Sequence, residues 1–165
     1  MSDNGPESFR LLLVCSGNTC RSPLAQALFE RELAALGWRV DVRSGGVRAA
    51  AGEPASRGSL QAARRHGLDL SGHESRPVDD ELIRWADLIL VMSPGQLLSL
   101  AELGAAGKAA LIDAFARGEE GGEGVATGGV PDPFGGDERD YEHTFRMLED
   151  LVPEVLRRLQ PIFAP

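Results

Sequence analysis

Cysteine and histidine are scarce in this chain of 165 residues: two of the first and three of the second. Two cysteines cannot build the disulfide framework of a small secreted domain, and five such side chains offer little for a zinc site. Positive charge is short as well. Subtracting 25 acidic from 17 basic residues leaves a net charge of -8, which argues against a generic nucleic-acid binder, since that function needs a cationic surface. No apolar run approaches the roughly 18 residues needed to cross a bilayer. The opening MSDNGPESFR lacks the charged and apolar regions of a secretory signal. A cytoplasmic chain without nucleic-acid or membrane partners is therefore expected, and a monomer. What the sequence does have is 42% hydrophobic residues, enough to close the core of one domain.

The negative charge has a location. Between Glu119 and Asp150 ten acidic residues face only Arg139 and Arg146, so the remaining residues sum to zero. Such a run reads either as a solvated surface or as a collar favouring cationic substrates at the rim of a site. Along the chain, apolar runs alternate with helical spacing. Phe9–Val14 and Asp87–Met92 have the uninterrupted apolar pattern of strands buried on both faces, and Ala109–Ile112 suits a further strand. Trp38–Arg43 alternates like a half-buried strand. Helices are expected from Ser22-Pro23, an N-cap followed by proline, to Gly37; from about Pro54 to His66-Gly67; over Val78–Ala86; and from Ser93-Pro94 to about Leu103. The last helix spans roughly Arg139–Leu159, with Pro153 placed to bend it. Residues 117–130 hold six glycines and read as a flexible loop. Strands alternating with helices give an α/β fold, a parallel sheet covered on both faces. A single domain over residues 9–163 follows a frayed tail at 1–8.

In open α/β sheets ligands collect beyond the carboxyl ends of the strands. The chain puts Cys15 there, followed by Ser16, Gly17, Asn18, Thr19, Cys20, Arg21 and Ser22 before a helix. A loop of this kind turns successive backbone N–H groups inward, and the helix N-terminus adds its positive end. The result is a cradle for a tetrahedral phosphate. Arg21 adds a bidentate grip on phosphate oxygens. The same surroundings favour a thiolate on Cys15, a nucleophile aimed at phosphorus. Ser22 can donate a hydrogen bond to that sulfur or cap the helix. A Walker-type loop is excluded because no Gly-Lys-Ser/Thr follows at the required spacing.

Val14–Pro23, VCSGNTCRSP, resembles the signature of the low-molecular-weight protein tyrosine phosphatases, and Asp132-Pro133-Phe134-Gly135-Gly136 resembles a second element of that family. The resemblance runs from Phe9 to the last helix. It implies a three-layer α-β-α fold with a four-stranded parallel sheet and the phosphate loop between the first strand and first helix. It also implies a two-step hydrolysis without metal or cofactor, acting on phosphorylated proteins. Cys15 would form a cysteinyl-phosphate. Arg21 and the loop amides of residues 16–20 would hold the phosphate. Asp132 would protonate the leaving atom and then activate water. Asn18, Ser44 and His73 occupy the family positions that hold the loop. Cys20 stands where the family often carries a second cysteine, able to trap oxidised Cys15 as a reversible disulfide or simply to pack.

The family divides between phosphotyrosine and, in bacterial relatives, phosphoarginine. Thr19 and Phe134-Gly135-Gly136 resemble the arginine branch, whereas Ser16 departs from the threonine that branch often has after its nucleophile. Phosphoarginine is therefore the favoured substrate, phosphotyrosine the alternative. Phe134 would be a ring wall of the pocket or a core residue. An arsenate reductase is disfavoured because its relay needs further cysteines and none follows Cys20. A silent phosphate-binding module is disfavoured because Cys15, Arg21 and Asp132 are all present.

Overall fold

A computed structural model describes residues 8–119 and 128–163 of the chain. The tail expected at residues 1–8, apart from Ser8, and most of the glycine-rich loop expected at 117–130 lie outside the described residues. Four strands, β1 (Phe9–Cys15), β2 (Val40–Gly46), β3 (Leu88–Val91) and β4 (Ala109–Leu111), form one sheet in the order β2-β1-β3-β4. Every neighbouring pair is parallel. β1 is central and its side chains divide by the two-residue period of a strand. Leu11 and Leu13 join one apolar cluster with Leu28 and Phe29 of α1 (Arg21–Leu36) and Phe145 and Leu148 of α6 (Glu138–Phe163). Leu12 and Val14 join the other, with Leu82 and Ile83 of α3 (Asp80–Trp85) and Leu100 of α4 (Pro94–Glu102). Burial on both faces explains why the strand reads as a continuous apolar run.

Several boundaries differ from the sequence reading. β2 begins at Val40, because Trp38 leaves the sheet edge and stacks on Phe163 with ring centroids 4.9 Å apart. The helix expected from Pro54 is α2 (Arg57–Arg65), which packs on α6 and starts after Ser56, whose side chain accepts from Ser59 N–H. Ile112 belongs not to β4 but to a further helix, α5 (Ile112–Arg117). α5 follows the strand with no glycine, proline or polar cap between, so nothing in the local sequence marked the change; it stops at Gly118 in the left-handed region (φ 73°). α6 continues through Pro153 and Pro161. Each proline removes one backbone bond, but a buried stripe of Tyr141, Phe145, Leu148, Val152, Val155, Leu156 and Leu159 carries the helix across. Among the described residues no helix is long and apolar enough to cross a membrane.

The strand order positions the site. β1 has β2 on one side and β3 on the other, so the segments leaving the carboxyl ends of β1 and β3 diverge and open a cleft between them. Cys15 is the last residue of β1.

The α2–α6 junction gives a test of packing. A Cβ built on Gly58 would overlap the Tyr141 ring. Helix propensity alone favours alanine over glycine by about 1 kcal/mol; overpacking against a buried ring should reverse the sign. Gly58→Ala is expected to lower stability by about 1–3 kcal/mol, read from urea denaturation midpoints. A stability equal to or above the parent's would show that the two helices part without cost.

Candidate active site

The loop after β1 is shaped by where its carbonyls are tied. Cys15 O accepts from Val47 N–H (3.1 Å), Ser16 O from Arg48 N–H (2.9 Å) and Thr19 O from Ser56 N–H (2.8 Å). Cys20 O accepts from the Ser59 hydroxyl (3.1 Å) and Asn18 O from His73 Nε2 (2.6 Å). All five carbonyls thus bond to the surrounding elements. In a trans peptide the C=O and the next N–H point opposite ways, and the chain contains no cis bond among the described residues. The N–H groups of Ser16, Gly17, Thr19, Cys20 and Arg21 are therefore turned to the inside of the loop. The first turn of α1 begins there with no acidic side chain, so its positive end is not neutralised locally.

Asn18 holds this shape at its centre. It is fully buried and is the one non-glycine residue with positive φ (57°) among those described. Asparagine tolerates that conformation because its short amide can bond nearby. Its Nδ2 donates to Ser22 Oγ (2.8 Å) and Ser44 Oγ (2.9 Å), and its Oδ1 accepts from Arg76 N–H (2.8 Å). Both amide hydrogens and the amide oxygen are in use. Ser22 Oγ also lies 3.0 Å from Cys15 Sγ. With Asn18 donating to that oxygen, the hydroxyl hydrogen of Ser22 is available to a thiolate at the sulfur. From behind, the backbone of Gly46 presses on the loop: a Cβ there would come 2.5 Å from Ser16 O and 3.0 Å from Asn18 N.

Arg21, Asp132 and Cys15 line one cavity of ≈ 260 Å³, together with Ser16, Gly17, Thr19, Cys20, Arg48 and Phe134. Arg21 is 4% exposed. Its Nη1 donates to Val130 O (2.9 Å), and its Nη2 lies 3.7 Å from Asp132 Oδ2. Its Nε is buried with no hydrogen-bond partner among the described residues, a donor suited to an oxyanion. Asp132 is half exposed, and its Oδ1 accepts from Phe134 N–H (3.1 Å), which closes a turn around Pro133. Phe134 is 77% exposed at the rim, so it is a wall residue and not part of the core. Cys20 Sγ donates to Ser56 Oγ (3.3 Å) and meets the Tyr141 hydroxyl at 3.8 Å. Burial raises the Tyr141 phenol above its ordinary pKa, and the Cys20 contact adds to the shift against a lowering bond to Ser56.

The geometry brings together every residue singled out from the sequence, with two corrections. Ser22 does not cap α1: the cap position is Cys20, without a side-chain bond, and the serine is turned to Cys15 and Asn18. Among the described residues the acidic run does not ring the cavity. Glu138 and Glu142 meet Arg65 (3.0 and 3.2 Å), Glu142 also meets His66 (2.8 Å), and Glu149 meets Arg31 (3.6 Å). These pairs tie α6 to α2 and α1, and of the described acidic residues only Asp132 lines the cavity. Sequence reasoning missed Ser56, Ser59, Arg48 and Gln96. Gln96 is buried; its Oε1 accepts from Met92 and Ser93 N–H, and its Nε2 donates to Ser16 Oγ (3.1 Å). Its signal was present in Ser93…Gln96, the spacing of a capping box.

A buried thiol beside an amide-lined loop, sharing one cavity with a buried guanidinium and a carboxylate, defines a class: hydrolases that use cysteine on phosphate esters or amides. The chain belongs to the family described as low molecular weight phosphotyrosine protein phosphatase, matched over residues 10–161. It is similar to the protein-arginine-phosphatase of Geobacillus stearothermophilus, 34% identical over 92% of this chain and 97% of that one. It is also similar to the low molecular weight protein-tyrosine-phosphatase Etp of Escherichia coli K12, at 31% over 90% and 93%. Among solved structures, a YwlE mutant from Bacillus subtilis superposes with a TM-score of 0.84 at 32% identity, covering 93% of this chain and 99% of that one.

Asn18 offers a direct test of the loop. Asn18→Ala removes three side-chain bonds and leaves a buried, strained position, which should cost about 2–4 kcal/mol. It should also weaken inhibition by inorganic phosphate roughly tenfold or more, because misplaced donors lose their alignment. Calorimetry and phosphate inhibition measure the two effects; wild-type values for both would show that other contacts set the loop.

Proposed function

We propose that the protein is a protein phosphatase that removes phosphate from arginine side chains through a cysteinyl-phosphate. Cys15 Sγ attacks phosphorus; the S–P bond forms as the bond to the leaving atom breaks. The inward N–H groups and Arg21 Nε and Nη2 hold the three equatorial oxygens as charge spreads over them. Asp132 gives its proton to the leaving nitrogen. It then takes a proton from water, which attacks phosphorus and releases the sulfur and inorganic phosphate. The Ser22 hydroxyl, donating to Sγ, stabilises negative charge on the sulfur in both steps.

The observation that carries the arginine reading is Thr19 lining the cavity beside Cys15. A threonine there leaves room and a polar contact for a planar guanidinium, and the exposed Phe134 ring can flank its stem. Full-length similarity does not choose between the substrates, since it holds for an arginine phosphatase and a tyrosine phosphatase alike. One observation favours phosphotyrosine instead: Arg48 lines the same cavity, and a cation there repels an incoming guanidinium. Kinetics on phosphoarginine, phosphotyrosine and phosphoserine peptides decide between them. We expect the highest kcat/KM on phosphoarginine and a shift toward phosphotyrosine in Thr19→Ile. A parent that prefers phosphotyrosine, or a ratio unchanged in the variant, overturns the arginine assignment.

Cys20 is assigned a protective role. Peroxide converts the Cys15 thiolate to a sulfenic acid; the Cys20 thiol then attacks that sulfur, forming the disulfide and releasing water. Added thiol reduces the bond. Activity of the parent should return after peroxide and thiol, whereas in Cys20→Ala peroxide should carry the unprotected sulfenic acid on to sulfinic acid, which thiol does not reduce, so the variant should stay inactive. Equal recovery of the two proteins would leave Cys20 as a packing residue.

A further inference from the structure

We propose that Asp113 is a positioning residue for the general acid: buried at the start of α5, it fixes the Gly128–Val130 backbone and so aims Asp132. The inference rests on Asp132 being that acid. Asp113 is 5% exposed and plays no part in the mechanism above. Its Oδ2 accepts from Gly129 N–H at 2.9 Å, and Arg117 Nη1, one helical turn on, reaches the same oxygen at 3.5 Å. Its Oδ1 is buried and has no partner among the described residues. Burying a carboxylate is costly where an apolar side chain would not be, and the bond to Gly129 N–H is what it supplies in return.

That bond lies in a tight clamp. Gly128 and Gly129 both have positive φ (98° and 96°). A Cβ on Gly128 would come 2.7 Å from Asp113 Oδ2, and one on Gly129 would overlap Met92 O, one residue past β3. The two glycines therefore pass between the carboxylate and the sheet with no room for a side chain. Directly beyond, Val130 N–H donates to Met92 O (2.7 Å) and Val130 O accepts from Arg21 Nη1 (2.9 Å). Asp132, two residues on, lies 3.7 Å from Arg21. One unbroken path thus links Asp113 to the acid and to the guanidinium. Small errors in placing a proton donor are costly to the step it assists.

The experiment separates positioning from mere support by leaving-group dependence, using kcat/KM of the full chain on two aryl phosphates. Dinitrophenyl phosphate releases a phenolate that departs unassisted; phenyl phosphate releases one that needs a proton. Asp132→Asn is measured first. A loss confined to phenyl phosphate establishes the acid, while an equal fold-loss on both substrates, or none on either, overturns the acid assignment and this inference with it. Asp113→Ala should then lower kcat/KM for phenyl phosphate about tenfold relative to dinitrophenyl phosphate, with inhibition by inorganic phosphate unchanged within about twofold. Asp113→Asn, whose amide oxygen still accepts from Gly129, should restore most of the loss. In the Asp132→Asn background, Asp113→Ala should add no further leaving-group dependence. If the alanine variant does not fold, Asp113→Ser, too short to reach Gly129, is read the same way. Equal loss on both substrates, or further leaving-group dependence without the Asp132 carboxylate, would overturn the proposal.

Discussion

The site depends on the outward anchoring of five carbonyls in the loop after β1. Left to itself, a short loop would turn its N–H groups toward water as readily as inward. Bonds from Val47, Arg48, Ser56, Ser59 and His73 remove that freedom, and the inward amides are the consequence. The cradle is thus made by its surroundings: β2's exit, the N-terminus of α2 and the segment that carries His73 each hold one part of it. This distributes the cost of ordering the loop over elements that are already ordered by the core.

The two halves of the proposed chemistry are joined through one side chain. Arg21 belongs to the cradle by sequence, yet its Nη1 bond to Val130 O places the loop of Asp132, the proposed acid, against it. A guanidinium suits this double task because its donors lie in a fixed plane, so that one edge can be committed to protein while another faces the ligand. Lysine at the same position would supply charge without that division.

Much of the fold was legible because its signals are local. The apolar runs of β1 and β3 reflect burial on both faces, Gly37 ends α1 with a left-handed residue (φ 70°), and the order Cys15 to Arg21 is a contiguous motif. What escaped the sequence depends on contacts between distant segments. Ser22 was open between capping α1 and bonding Cys15, and its contacts with Cys15 and Asn18 decide for the second. The acidic run was open between a solvated surface and a collar at a rim, and the packing of α6 against Arg65, His66 and Arg31 accounts for Glu138, Glu142 and Glu149. Ser59 and Ser56 are ordinary helix-start residues in one dimension; their bonds to Cys20 and Thr19 span more than thirty positions. α5 went unseen because no punctuation separates it from β4. Phe134 was open between two environments, and its composition alone could not choose.

The exposed ring of Phe134 has an energetic meaning of its own. A phenyl group held in water orders solvent over its faces for as long as nothing covers it. Under the proposed function, an incoming side chain with a long aliphatic or aromatic stem would release that solvent as its phosphate descends, and a short stem such as that of serine would pass beneath the ring untouched. Reach, as much as charge, would then sort what enters, and the rim would measure the length of the arm that presents the phosphate.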